Sequence, residues 1–195
     1  MSVQSDLEAF AALLRKWNAV QNLVSRETIG ELWPRHIEDS LQLVPLLRDS
    51  DRLVIDLGSG GGFPAIPLAI ATRGQGRRFV LLEPTQKRAS FLRTVIRDLD
   101  LPAEVHAVRA EAFDSRETVD LVTSRALADL PELLRLGARF SGPATHMLLH
   151  KGLTYREEMS RASRLFDFDV LVHPSRTDAS GVILEISNLR AKSTA

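Results

Sequence analysis

Residues 53 to 64 read Leu-Val-Ile-Asp-Leu-Gly-Ser-Gly-Gly-Gly-Phe-Pro, an apolar run that ends in an acid and then breaks into a glycine-dense turn. The run Leu53 to Leu57 is too short for an ordinary helix and predicts a buried parallel strand. Gly58, Gly60, Gly61 and Gly62 open backbone conformations that other residues avoid, as a turn wrapped closely around a ligand requires. Pro64 suits the first turn of a helix that continues through Ala65 to Ala71. The predicted unit is strand, glycine loop, helix N-terminus. In open α/β sheets such loops lie at the carboxyl ends of strands, where nucleotide-like ligands bind.

Two ligand classes compete for this loop. A dinucleotide fingerprint, G-x-G-x-x-G, seats a pyrophosphate on the helix N-terminus. Here the sixth position of that frame is Phe63, and the carboxylate of Asp56, two residues before Gly58, would oppose an anionic pyrophosphate. S-adenosylmethionine suits the pattern better, because it carries no phosphate and its amino and sulfonium groups are cationic. A second apolar run, Phe79 to Leu82, ends in Glu83, a position from which a carboxylate can accept both hydroxyls of a ribose. A purely structural glycine turn, with Glu83 a helix-start acid, fits the same residues. A third strand, Glu104 to Val108, leads to Ala110-Glu111, where a small residue and an acid can frame an adenine edge. A fourth, Val119 to Thr123, runs into Ser124-Arg125-Ala126 and places a guanidinium at a strand end. Arg125 can bind the carboxylate of an amino-acid moiety, or equally pair with a structural acid such as Asp129.

These residues, taken together, resemble the bacterial ribosomal RNA small subunit methyltransferase G family, also called glucose-inhibited division protein B. The likeness runs through Trp17-Asn18 and Asn22-Leu23, Arg35-His36-Ile37-Glu38-Asp39-Ser40-Leu41, Asp56 to Pro64, Leu81-Leu82-Glu83, Lys87-Arg88 with Phe91-Leu92, Ser124-Arg125-Ala126 and Lys151-Gly152. The resemblance implies a class I S-adenosylmethionine-dependent methyltransferase fold, α/β and Rossmann-like. Its sheet is seven-stranded and mostly parallel with an antiparallel last strand, and N-terminal helices precede it. It implies methylation of N7 of one guanine in 16S ribosomal RNA, in the helix 18 loop, and cofactor contacts at Gly58, Phe63, Ala110, Glu111 and Arg125. The ribose reading adds Glu83, and the loop reading adds Asp56 and Gly60. One departure is Ala65, where the family usually carries a second glycine after the proline. Guanine N7 has a free lone pair and needs no deprotonation, so no catalytic proton-transfer residue is assigned. Two rivals are a nicotinamide-dependent oxidoreductase and a non-catalytic ribosome-assembly module that retains a cofactor fold. Asp56 and Phe63, and the lack of a lysine shortly after the one tyrosine, Tyr155, count against the first.

At 195 residues, 44 % of them apolar, the chain suits a single methyltransferase domain, with residues 1–50 a helical segment and 51–190 the cofactor-binding core. The absence of cysteine excludes a disulfide framework and a thiolate nucleophile. No apolar run approaches a membrane span and no leader pattern opens the chain, so the expectation is a cytoplasmic monomer. The five histidines show no metal-ligand spacing. His146 and His150 share one face of a strand and are expected partly buried or at the surface.

Charge balances at 25 basic and 25 acidic residues, which does not support a strongly basic nucleic-acid binder. The distribution is uneven, with seven basic residues against Glu83 between Arg73 and Arg97. Arg93 and Arg97 are predicted to project together from a helix whose other face carries Phe91, Leu92, Val95, Ile96 and Leu99. They can meet phosphates or form a solvated face. Arg35, in a helical first turn, and Lys151, at the end of a central strand, are further candidates for RNA contact. The implied partner, 16S ribosomal RNA or the small ribosomal subunit, would be recognised by shape more than by bulk charge. Along the chain, Ser5 and Glu8 suggest a capping box for a first helix, and Pro34 to Pro45 bounds a second. Helices are expected over Asp129 to Ala138 and Tyr155 to Leu165, and strands over Thr145 to His150, Asp167 to Val172 and Val182 to Asn188. The final strand pair should be antiparallel, and Arg190 to Ala195 a frayed tail.

Overall fold

The computed structural model describes residues 2–25, 27–125 and 127–192. A seven-stranded sheet has the order β3-β2-β1-β4-β5-β7-β6. Its strands are β1 (Leu53–Leu57), β2 (Arg78–Leu82), β3 (Ala103–His106), β4 (Leu121–Arg125), β5 (His146–Lys151), β6 (Phe166–Pro174) and β7 (Val182–Ala191). The first five are parallel, and β7 is inserted antiparallel between β5 and β6. The predicted architecture is therefore the observed one.

Helices cover both faces. On one side α1 (Val3–Gln21), α3 (Ala65–Ala71) and α4 (Gln86–Asp98) bury Phe10, Leu14, Ile66, Leu68, Phe91 and Leu92 against Val54, Phe79 and Leu81 of the sheet. On the other, α5 (Leu130–Gly137) and α6 (Tyr155–Ala162) pack Leu133, Leu134 and Ala162 against Ile55, Leu57, Val80 and Val122. Alternate residues of β1 and β2 thus face opposite layers, and all five residues of β1 are buried, as its unbroken apolar run predicted. Apolar burial of this kind contributes about 25 cal/mol per Å² removed from water. Among the described residues no helix is long and apolar enough to cross a membrane.

Several local expectations need correction. The first helix begins earlier than the Ser5/Glu8 pattern suggested. Ser2 is its N-cap and accepts from the Ser5 amide at 3.1 Å, while Ser5 Oγ accepts from the Ser2 amide at 3.0 Å. A hydroxyl thus takes the reciprocal role that Glu usually plays, and Glu8 instead accepts from Gln4 Nε2. The expected second helix is broken into a π-helical turn (Trp33–Glu38), one α-turn, α2 (Asp39–Leu41), and a 3₁₀ turn (Val44–Leu46). Such π turns re-aim side chains and recur at functional positions. Pro64 is the N-cap of α3, one residue ahead of the expected position. β4 extends to Arg125, and β7 runs to Ala191, so Arg190 and Ala191 lie in a paired strand and not in a frayed tail. Residues 193–195 and Ala126 lie outside the described residues.

His146 is deeper than expected, while His150 is partly buried, as expected, with most of its side chain covered. His146 is fully buried, its Nε2 3.1 Å from Asp51 Oδ1, and the His150 side chain is 9 % exposed. Segments outside the sheet supply their partners, Asp51 from the stretch ahead of β1 and Asp39 from α2, a contribution that alternation along one strand does not contain.

Candidate cofactor site at the strand ends

The loop after β1 folds as its glycines allow. Gly58, Gly60 and Gly62 adopt φ of 68, 53 and 94°, values that favour glycine. At Gly62 a Cβ would lie 2.6 Å from Ile66 Cγ1 and 3.0 Å from Leu92 Cδ2, so the absent side chain is what lets α3 and α4 close on the loop. The amides of Gly58 and Ser59 both donate to the Leu82 carbonyl, at 2.9 and 3.1 Å, tying the loop to the end of β2. Immediately after that strand, Glu83 is 3 % exposed. Its Oε2 accepts from the Gly60 amide at 2.9 Å and its Oε1 from the Thr85 amide at 2.7 Å. Each oxygen retains acceptor capacity for a second donor, so bracing the loop is compatible with receiving ribose hydroxyls.

Asp56 lies at zero exposure inside the sheet. Its Oδ1 accepts from Thr123 Oγ1 of β4 at 2.7 Å, and its Oδ2 has no partner among the described residues. Burial raises the carboxyl from 3.8 to about 7, against the Thr123 hydrogen bond that pulls it down, and the Glu83 charge adds to the rise. A buried acceptor without a donor costs free energy. An incoming cation or N–H donor would remove that cost.

A cavity of about 190 Å³ opens beside the loop, lined by Gly58, Leu82, Ala110, Glu111, Leu127 and Leu136 among others. Gly58, Ala110 and Glu111, distant in sequence, therefore meet around one space with an apolar wall, as an adenine ring requires. Leu127, which the sequence reading did not single out, lies directly over Gly58. A Cβ there would come within 2.6 Å of Leu127 Cδ1. Its only signal in sequence is an apolar residue just past the end of a strand.

Arg125 is not part of this cavity's lining. Its Nε is 3.3 Å from Asp39 Oδ2, and its Nη2 lies 2.7 Å from His36 Nδ1 and donates to the Arg35 carbonyl at 3.1 Å. The guanidinium carbon is 5.5 Å from the centre of the Phe63 ring, a cation–π distance. Asp129, the acid suggested by proximity in sequence, instead caps α5 and pairs with Arg161. Burial, reinforced by Arg125, lowers His36 from 6.5 to about 4, so its ring is neutral and its Nδ1 accepts. Burial also lowers His150, whose Nε2 is 2.9 Å from the Asp39 carbonyl oxygen. A second cavity, about 320 Å³, opens beside this cluster between the ends of β4 and β5, the π-helical turn and the β6–β7 hairpin.

The candidate RNA contacts separate into two kinds. Arg93 and Arg97 are exposed on the outer face of α4, as expected, although Arg97 also holds Asp98 at 2.7 Å. Arg35 is about half exposed, 4.0 Å from Asp178. Lys151 is different. Its side chain is 8 % exposed, pairs with Glu158 at 2.6 Å and donates to the Ala128 carbonyl at 2.9 Å, so the ammonium joins β5 to α6 instead of facing outward. Much of the basic run from Arg73 to Arg97 is likewise engaged within the fold: Arg73 with Asp6, Arg77 with Gln75 and the Arg48 carbonyl, and Arg78 with Glu117. Among the described residues, no group of three or more histidines or carboxylates could hold a metal ion.

Comparison with known proteins bears on the fold and the family. Among solved structures, the glycopeptide N-methyltransferase MtfA complexed with S-adenosyl-L-methionine superposes with a TM-score of 0.64 at 11 % identity, covering 78 % of this chain and 93 % of that one. The ribosomal protein L11 methylase from Lactobacillus delbrueckii subsp. bulgaricus gives 0.61 at 15 % identity, covering 78 % of each chain. The fold is that of the class I S-adenosylmethionine-dependent methyltransferases. Sequence relatives are much nearer. The ribosomal RNA small subunit methyltransferase G of Rhodospirillum centenum is 45 % identical over 183 residues, 94 % of this chain and 83 % of its own. That of Brucella ovis is 44 % identical over 189 residues, 95 % of this chain and 88 % of its own. The family model for GidB, rRNA small subunit methyltransferase G, matches residues 3–182, and the chain belongs to that family.

Proposed function

We propose that this protein transfers a methyl group from S-adenosylmethionine to N7 of a guanine in the helix 18 loop of 16S ribosomal RNA. The observation that carries this reading is the near full-length similarity to methyltransferase G relatives, 45 % identity over 94 % of the chain. The local geometry supports it independently, through a glycine loop braced by Glu83 beside a partly apolar cavity, with an unpartnered buried carboxylate oxygen at Asp56. In this reading Gly58, Ala110 and Glu111 border the adenine, Glu83 receives the ribose, Gly60 and Phe63 shape the loop, and Asp56 and Arg125 face the amino-acid end. Lys151 is not retained as an RNA contact, because its ammonium is buried in an ion pair. Arg35, Arg93 and Arg97 are retained. The chain acts as one methyltransferase domain, a cytoplasmic monomer whose N-terminal helical segment completes the site.

Bound S-adenosylmethionine supplies an electrophilic methyl on a sulfonium. The protein's part is to fix both reactants in line and to exclude water. Enforced attack geometry can lower a barrier by about 7–11 kcal/mol, and guanine N7 needs no base to become nucleophilic. No single proton-transfer residue is therefore required. Incubation with methyl-labelled S-adenosylmethionine and, in parallel, small ribosomal subunits, naked 16S RNA and transfer RNA tests the proposal. Label recovered as 7-methylguanine from 16S RNA is the expected result. Tight cofactor binding with no label on any of these acceptors would overturn the assigned substrate.

A further inference from the structure

Arg35 to Glu38 lie in the only π-helical turn among the described residues, and Asp39 directly follows it as the first residue of α2; beyond Arg35 this motif has no role in the function stated above. Its side chains nevertheless converge on Arg125 from two directions. Asp39 is 14 % exposed and holds Nε of the guanidinium at 3.3 Å. Its other oxygen accepts from Thr177 Oγ1 and Gln42 Nε2, both at 2.7 Å, so the carboxylate is itself fixed from two sides. His36 is packed against Phe63, ring centroids 5.0 Å apart, and offers Nδ1 to Nη2 of Arg125 at 2.7 Å. The Arg35 carbonyl takes a second hydrogen of Nη2. Both hydrogens of Nη2 are thereby engaged, and Nε is held by the ion pair with Asp39. The remaining nitrogen, Nη1, is buried and has no partner among the described residues.

We propose that His36 and Asp39 are positioning residues: they orient Arg125 over Phe63 so that Nη1 alone is left to receive the carboxylate of the cofactor's amino-acid moiety. The inference rests on the reading of S-adenosylmethionine as cofactor. A guanidinium free in water would lose rotamer freedom on meeting a carboxylate, whereas one held at Nε and Nη2 meets it already ordered. The neutral state of His36 serves the same end, because a protonated ring could not accept from Arg125 and would repel it. His36 lies within the π turn and Asp39 at the start of the α-turn that follows it, so both reach Arg125 from the same break in the N-terminal helical segment.

Equilibrium titration of the full chain with S-adenosylmethionine and with its decarboxylated analogue isolates the carboxylate. The unsubstituted protein is expected to prefer the carboxylated ligand by roughly tenfold to hundredfold, the range for a hydrogen bond between charged groups. His36→Phe keeps an aromatic ring against Phe63 but removes the acceptor. It should weaken S-adenosylmethionine about tenfold and leave the analogue unchanged, while His36→Gln, which restores an acceptor oxygen, should recover most of the preference. Asp39→Asn should also lower the preference, and His36→Phe should add nothing when Arg125→Met is already present. Equal weakening of both ligands by His36→Phe would overturn the inference in favour of a packing role. Tight binding of both ligands by the unsubstituted protein with no preference would overturn this inference alone, whereas binding of neither would overturn the cofactor reading with it.

Discussion

His146 and His150 lie four residues apart on one face of β5, the first fully and the second mostly buried, yet the polar clusters around them differ in kind. At the amino end of the strand, His146 Nε2 is 3.1 and 3.2 Å from the two oxygens of Asp51, which also accepts from the Arg48 amide. Beside it Glu185 accepts from Arg48 and from His173, each at 3.0 Å. Every carboxylate in that group faces a donor from its own chain. At the carboxyl end, His150 joins Asp39, Arg125 and His36, and the group borders a cavity of about 320 Å³. There, among the described residues, Arg125 Nη1 is left without a partner, as is Oδ2 of nearby Asp56, whereas the one unbonded buried atom of the amino-end group, His146 Nδ1, already lies 3.8 Å from the Glu185 carboxylate. A closed polar cluster fixes the fold, and an open one is completed by a ligand. In parallel sheets the carboxyl ends of strands are where the second kind belongs.

The largest effect expected at the closed end is on stability alone. His146→Ala removes the partner of a fully buried Asp51, and breaking such a pair costs about 3–5 kcal/mol. Chemical denaturation should report a loss of that size, while cofactor affinity of the molecules still folded stays unchanged. A fall in affinity comparable to the fall in stability would show that the two ends are coupled, and the contrast between them would fail. The open end should behave in the opposite sense. Glu83→Gln keeps one acceptor oxygen for the loop but removes the charge, so S-adenosylmethionine binding should weaken by about 1.5–3 kcal/mol with a much smaller change in the denaturation midpoint. Titration calorimetry checks it, and an unchanged affinity would remove Glu83 from the ribose site.

Asp56 makes the open end sensitive to pH. Its carboxyl is raised by burial from 3.8 to about 7, so between those values the folded chain holds a proton that the unfolded chain has released. Its contribution to stability is therefore complete below about pH 4 and is lost as pH rises through about 7. A cationic ligand favours the ionised form, so affinity for S-adenosylmethionine should climb by up to about tenfold per pH unit below pH 7 and level off above it. Asp56→Asn should flatten that profile. If the unsubstituted protein itself gave a flat profile, the ligand's cationic groups would not be sensing Asp56.

What could be read from the sequence follows the same division. The strand, loop and helix around residues 53 to 71 were legible because the apolar run, the glycines and Pro64 are consecutive, and local backbone preference alone specifies them. Glu83 was legible because a strand end is marked by where its apolar run stops. The partner of Arg125 was not, since Asp39 lies 86 positions away and reaches it only through the broken N-terminal helix, whereas Asp129, nearer in sequence, caps α5. Lys151 shows the same limit from the other side. A lysine before a glycine at a strand end resembles a free surface cation until α6 brings Glu158 against it. Leu127 could not be distinguished by residue type at all, and only its approach to Gly58 marks it.

The smallest effect expected is at the exposed face of α4, where neither kind of cluster forms. Arg93 projects into solvent with no ion-pair partner among the described residues, while Arg97 holds Asp98 at 2.7 Å with its side chain 75 % exposed. Exposed pairs of that kind contribute about 0–1 kcal/mol, so an RNA phosphate can take Arg97 from Asp98 at little cost. If this face meets the substrate backbone, Arg93→Ala and Arg97→Ala should each raise KM for the RNA acceptor severalfold and lower the salt dependence of binding by about one phosphate contact. Cofactor affinity and stability should stay as they were. Lys151→Ala supplies the contrast: loss of its buried pair should lower stability and leave the salt dependence intact. An unchanged salt slope in Arg93→Ala and Arg97→Ala together would assign α4 to solvent and move the RNA path toward Arg35 and the cavity at the ends of β4 and β5.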